Sequence, residues 1–149
     1  MEPAFRPADN GDVEVVIDLM RQLYASERQP FDEGFARVAL EQLVEDESWG
    51  GVWVIQRDEE TIGYVAVTLG YSLRLHGQIA CVDELFVVSA QRNQGVGAAA
   101  LRFVADMCRA RGIEALRVEI GRNATAARKL AHAAGYTDSG TAMTKWLST

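Results

Sequence analysis

Residues 82–98 run VDELFVVSAQRNQGVGA. The apolar run Leu85-Phe86-Val87-Val88 gives way to the polar stretch SAQRNQ, and then to two glycines, Gly95 and Gly97, that open a long helical pattern. A strand, a polar loop and a glycine-marked helix start together make an anion site. The first N–H groups of a helix have no partner within it, and its dipole places partial positive charge at that end. A glycine there lets a bound group approach the backbone without meeting a Cβ. Arg92, just ahead of the glycines, adds a charge-assisted donor. The natural guest is a phosphate or diphosphate.

Outward from this junction, the helix of residues 95–111 shows Val96, Ala99, Ala100, Phe103, Val104 and Met107 at inward spacing, and Gly112 supplies a stop. Residues 115–120 form a strand, 125–134 a short helix closed by Gly135, and 142–147 a final strand. Upstream, 52–57 and 61–70 flank Asp58-Glu59-Glu60 as a β-hairpin, and 79–88 is the strand leading into the loop. Residues 4–7 form a first strand, with Asp9 or Asp12 able to cap a helix carrying Val13, Val16, Ile17, Met20 and Tyr24. A second helix, 31–46, shows Phe35, Val38, Ala39, Gln42 and Leu43 on one side. The order β, α, α, β, β, β, α, β, α, β is an α/β (α+β) pattern, a mixed sheet with helices on both faces. No repeat or linker divides it, so residues 1–149 are expected to form one domain.

The composition narrows the partners. The 149 residues are 48% hydrophobic, enough for a core, and carry a formal net charge of −6. With a pI near 4.9 the basic footprint of a nucleic-acid binder is missing. Cys81 and Cys108 belong to no CxxC or Cys/His cluster, which argues against a disulfide scaffold and a metal site. No signal-like N-terminus and no apolar run of membrane length occurs, so a cytoplasmic protein that does not engage a membrane is expected.

Three cofactor classes compete for the glycine loop. A P-loop ends in GK[ST], whereas this chain has GVGAAA. A dinucleotide fingerprint, G-x-G-x-x-G/A, is matched in letters by Gly95, Gly97 and Ala100, with Glu119 further on. Six residues nevertheless separate the strand from the glycines, and the 52 residues after Gly97 are too few for the rest of such a domain. The third reading is R-x-x-G-x-G at Arg92, Gly95 and Gly97.

In that reading the chain resembles the GCN5-related N-acetyltransferase (GNAT) superfamily along its whole length. FRPADNGDVEVVIDLM is similar to the family's opening strand and helix, VWVIQRDEETIGYVAV to its central hairpin, VDELFVVSAQRNQGVGAAALRFVADMCRARGIEALRVEI to its cofactor-binding core and AHAAGYTDSGTAMTKWL to its close. The resemblance implies a GNAT fold, a mixed central sheet of about six to seven strands splayed at the cofactor strand. It implies acetyl-CoA as co-substrate, with Leu85, Phe86 and Val87 beside the pantetheine arm, the diphosphate on the amides of Asn93, Gln94, Gly95, Val96, Gly97 and Ala98 with Arg92 beside it, and Asn123 as a further cofactor contact. Asn93 stands where a glycine is frequent, and Asn tolerates left-handed backbone.

Transfer to an amine needs a neutral nucleophile, and an alkylammonium of pKa near 10.4 is deprotonated only about once in 2,500 molecules at pH 7, an obstacle of about 4.6 kcal/mol. Asp83 and Glu84 lie where the family often holds an acidic residue facing the substrate, and strand alternation lets only one of them face the cleft. Tyr24, Glu27 and Tyr71 are candidates for binding a cationic acceptor by charge and aromatic face. The family frequently places a tyrosine in the last helix to protonate the departing thiolate. Here the matching stretch Leu130-Ala131-His132-Ala133-Ala134-Gly135-Tyr136 puts Ala131 at that position, leaving water or His132 for the task. The acceptor is expected to be a small-molecule amine or a protein amino group, and the chain to form a homodimer. A CoA-binding module without turnover is the alternative, and a dinucleotide-binding fragment a more distant one.

Overall fold

The structure is a computed structural model and describes residues 2–121, 124–138, 140 and 142–147. Its strands are β1 (Ala4–Pro7), β2 (Gly50–Arg57), β3 (Glu60–Ser72), β4 (Gly77–Val87) and β5 (Ala115–Val118); its helices are α1 (Val13–Ser26), α2 (Glu33–Glu45), α3 (Val96–Ala110) and α4 (Thr125–Ala133). The strands form one sheet in the order β1-β2-β3-β4-β5, antiparallel except for the parallel β4/β5 pair that α3 connects. No helix of the described residues is long and apolar enough to cross a membrane.

Alternation along β2 and β3 divides the core. Val52, Val54, Tyr64 and Ala66 face α1 and α2, where Val13, Val16, Ile17, Leu19, Met20 and Leu40 cover them. Val65 and Val67 face the other way, against Leu101, Val104 and Cys108 of α3. Ile55 and Ile62 meet Val96 and Ala100 at the start of that helix. Burying a side chain of this size contributes roughly 1.5–3 kcal/mol, so these two layers hold the elements in place.

Three expectations are corrected. Asp9 caps a short 3-10 turn at Asn10–Asp12 rather than α1, because the Asp12 carboxylate is engaged by Arg6 at 2.8 and 3.0 Å and accepts the Asp9 amide. On α2 the buried side is Leu40, with Ala36, Leu43 and Val44 beside it, whereas Phe35 and Val38 are 80% and 57% exposed. The helix carries two apolar stripes, and Asp32, capping the Phe35 amide, and the ion pairs of Arg37 with Glu14 and Glu33 fix which stripe meets α1. Finally, the described part of 142–147 joins no ladder, and the sheet has five strands rather than six or seven. β5 is only four residues long, and Met143, Trp146 and Leu147 stay 84–95% exposed.

Candidate active site

The β3/β4 ladder shifts register at one place. Ala66 lies opposite Glu84 and Val67 opposite Val82, so Asp83 has no partner and forms a β-bulge. Strict alternation would put Val82 and Glu84 on the same face. With the extra residue, Val82 packs with the α3 layer while Glu84 and Phe86 turn to the α1 side. The expectation that one acidic residue would face the cleft becomes a division of positions. Glu84 is drawn in under α1, and Asp83 stands exposed at the rim.

Glu84 is held from two elements. Tyr24 of α1 donates its hydroxyl to Oε2 at 2.5 Å, and Tyr64 of β3 donates to Oε1 at 2.7 Å. Phe31 packs edge-on against the Tyr24 ring at 5.2 Å, and Tyr64 is 1% exposed, so both donors are set by packing. Burial pushes the Glu84 carboxyl above its ordinary pKa, the two tyrosines pull it back, and Asp83 and Glu27 push it up again. Burial and the same carboxylate raise both tyrosines far above the usual phenol range, which leaves them as donors. Burial and Glu119 raise Asp83 as well. The Tyr64 partnership escaped the sequence reading because nothing in a strand pattern tells which tyrosine faces a carboxylate twenty positions away. Tyr71 does not join the cluster. It lies five residues beyond Ala66 along β3, about 16 Å at strand rise, and is 75% exposed.

The same step ends the other ladder. β5 pairs with β4 only from Ile79/Ala115 to Val82/Val118, the Glu119 amide still reaching the Val82 carbonyl at 3.2 Å. Beyond that point β4 runs on without β5 at its side. The Val88 amide bonds to Ile62 on β3, and alternation therefore turns the backbone groups of Leu85 and Val87 toward the open edge. That edge suits an amide-bearing arm lying alongside it like another strand. Phe86 is buried on the opposite side of the strand, 5% exposed, and offers its ring to Arg92 instead. A groove of about 1400 Å³ lies between α3, β5 and α4, lined among others by Ala98, Leu101, Arg102, Glu119, Leu130 and Tyr136.

At the loop, Asn93 takes the left-handed conformation expected of it, φ 62°, and Gly95 another, φ 79°, as the residue before α3. A Cβ on Gly95 would meet nothing within 4 Å, so this residue borders open space. Gly97 has a different setting: its Cβ would lie 2.9 Å from Leu130 Cδ2, so a side chain here would make the end of Leu130 on α4 shift. The two glycines thus differ: Gly95 is open to its surroundings at the head of α3, while Gly97 faces the packing of α4. Arg92 folds back over β4, its Nε donating to the Val87 carbonyl at 2.9 Å and its guanidinium 5.2 Å from the centre of the Phe86 ring. Asn123 lies outside the described residues.

The sequence profile of the acetyltransferase (GNAT) family matches residues 17–136. The chain belongs to that family. Among solved structures, this GNAT chain is similar to an integron cassette protein from the mobile metagenome of Cole Harbour Salt Marsh, with 32% identity, a TM-score of 0.85, and 97% of this chain and 91% of the other covered. The ribosomal-protein-alanine N-acetyltransferase of Brucella melitensis biovar Abortus 2308 shares the fold at 20% identity and TM-score 0.78, covering 98% and 100%. The aminoglycoside N-acetyltransferase AAC(6')-Iy, solved with CoA, shares it at 14% identity and TM-score 0.80, covering 97% and 94%. Among curated proteins none matches. Family and fold together make the chain an acyltransferase of the N-acetyltransferase type, and the expected GNAT fold is the one observed.

Two further positions bear on the chemistry. Ala131, where the resemblance would place a tyrosine, is 2% exposed and packed inward, and His132 is exposed, 3.7 Å from Asp138. Burial pushes the Cys81 thiol up to about 11 and raises Cys108 as well, so neither is a ready thiolate.

Proposed function

We propose that residues 1–149 act as one acetyltransferase domain that moves the acetyl group of acetyl-CoA to a primary amine by direct attack within a ternary complex. The observation that carries this reading is the Glu84 carboxylate, held by Tyr24 and Tyr64 beside the point where β4 and β5 part. Acetyl-CoA supplies the activated acyl group. Leu85 and the Val87 amide offer backbone groups to its arm, the Val87 carbonyl being held by Arg92, and Asn93 to Ala98 offer amides to its diphosphate.

Glu84 takes the proton of the incoming ammonium. A carboxylate raised by burial is better matched to neutral pH than an exposed one, and two fixed donors keep it aimed. Glu27 and Asp83 add negative potential that draws a cation in, and the Tyr24 ring lines its path. The acceptor is a small-molecule amine or a protein amino group. The thiolate, with a pKa near 8.5, leaves to water. The site operates in the cytoplasm, and the exposed Met143, Trp146 and Leu147 favour a homodimer.

Thermal shift with CoA, followed by thiol release across a panel of amines, tests the reading; turnover that survives Glu84→Gln at full rate overturns the role of the base. A second reading, a CoA-binding module without turnover, is favoured by the buried Ala131 in place of a tyrosine. It predicts stabilisation by CoA and no thiol release with any amine.

A further inference from the structure

The glycine loop is braced from outside itself by a residue that no motif includes. Arg57, the last residue of β2, donates from Nη1 to Gln91 Oε1 at 2.9 Å and to Gln94 Oε1 at 2.8 Å, across separations of 34 and 37 residues. Both acceptors are neutral amides. Although Asp58, Glu59 and Glu60 follow directly in the hairpin turn, Arg57 makes no ion pair with any described residue. Its Nε is buried and has no hydrogen-bond partner. A partly buried guanidinium with neutral partners thus stands against the segment between β4 and α3, where the helix N-terminus adds partial positive charge of its own.

The two glutamines bracket the left-handed residue of the loop. Gln91 closes the 3-10 turn Ser89–Gln91, Asn93 holds φ 62°, and Gln94 immediately precedes Gly95. Left-handed backbone is disfavoured for a non-glycine residue unless its surroundings hold it there. Among the described side chains it is Arg57 that ties both ends of that stretch to the sheet.

We infer that Arg57 is a positioning residue for the cofactor loop. It acts through Gln91 and Gln94 to hold the Asn93 to Ala98 amides in their anion-binding arrangement. This rests on the reading of the loop as the CoA diphosphate site. It predicts a division of kinetic effects, because Arg57 sits at the loop and not at Glu84. Arg57→Met should raise the KM for acetyl-CoA roughly tenfold, the scale of losing hydrogen bonds from a charged donor, while kcat and the KM for the amine stay near parental values. Arg57→Lys, which keeps the charge but not the fork, should recover part of the loss.

The variant Gln91→Ala/Gln94→Ala, altering two surface side chains, should reproduce the weakened acetyl-CoA binding without Arg57 being touched. Adding Arg57→Met to it should weaken binding little further. Equal acetyl-CoA KM in Arg57→Met and parent, or full additivity in the triple variant, overturns the inference while CoA binding by the parent stands. If the parent itself shows no stabilisation by CoA, the cofactor reading fails first and takes the brace with it.

Discussion

Replacing Tyr64 by phenylalanine removes a single oxygen from the proposed catalytic cluster. The ring is 1% exposed and packed among Val54, Ala66 and Phe86, and its hydroxyl contacts Glu84 Oε1 at 2.7 Å, so the packing stays and only the hydrogen bond goes. A hydrogen bond to a charged group contributes about 1.5–3 kcal/mol. With Tyr24 still bound to the other oxygen, we take the lower end, which corresponds to about one pH unit at 1.36 kcal/mol per unit. The Tyr64 bond lowers the Glu84 pKa, so its loss raises it. A general base works deprotonated, and the acid limb of kcat/KM should therefore move up by about one pH unit, with the plateau above it little changed. The groups that face Glu84 are Tyr24 from α1, Glu27 at the C-cap of that helix, Tyr64 from β3 and Asp83 from β4; Glu27 and Asp83 are untouched by the substitution, so their contribution cancels between parent and variant. The assay is thiol release at saturating acetyl-CoA from about pH 5 to about pH 9. An unmoved limb, or one displaced to lower pH, refutes the reasoning.

Glu84→Gln should lower kcat by roughly 100-fold or more, as expected for loss of a positioned base. The folded-state pKa of Glu84 lies above its ordinary value, so its ionisation costs stability as pH rises. The neutral amide should accordingly raise the melting temperature near pH 8 and lose that advantage near pH 4, which calorimetry at both pH values will show. Gly97→Ala should shift stability by under about 1 kcal/mol in denaturant titrations, because its methyl meets only the end of the Leu130 side chain and alanine is the better helix former; a loss above about 2 kcal/mol would show that Leu130 cannot give way. Incubation with acetyl-CoA alone should give no adduct of about 42 Da in the intact mass, since both thiols are held protonated, and a stable adduct on Cys81 would refute direct transfer.

The loop proposed to hold the cofactor was legible as a structure because its features are local. Strand, loop, glycine and helix start follow one another in the chain, and positive φ at Asn93 and Gly95 depends on residue type. The elements from β1 to α4 were placed within a few residues for the same reason. The acceptor half was not legible in this way. Glu84 meets Tyr24 across sixty positions and Tyr64 across twenty, and a hydrophobic pattern carries no record of such pairings. Arg57 was passed over as the end of a hairpin strand. On α2 the apolar residues satisfied two faces, so periodicity alone could not choose between Phe35 and Leu40. At 142–147 alternation suggested a strand, but a strand needs a neighbour, and that is a property of the sheet.

The bulge at Asp83 links the two halves physically. In an unbroken pleat Glu84 would share the face of Ala80 and Val82 and lie against Leu101 and Val104, where an unpaired carboxylate is strongly disfavoured. One inserted residue moves it to the face that holds Tyr24 and Tyr64. The last β5 pair, Val82/Val118, immediately precedes that residue, so the step that turns the carboxylate inward coincides with the step that frees the edge of β4. The carboxylate and the open edge thus emerge from one irregularity in one strand. Their separation is set by backbone geometry rather than by flexible side chains, as a site that must bring an amine to a thioester requires.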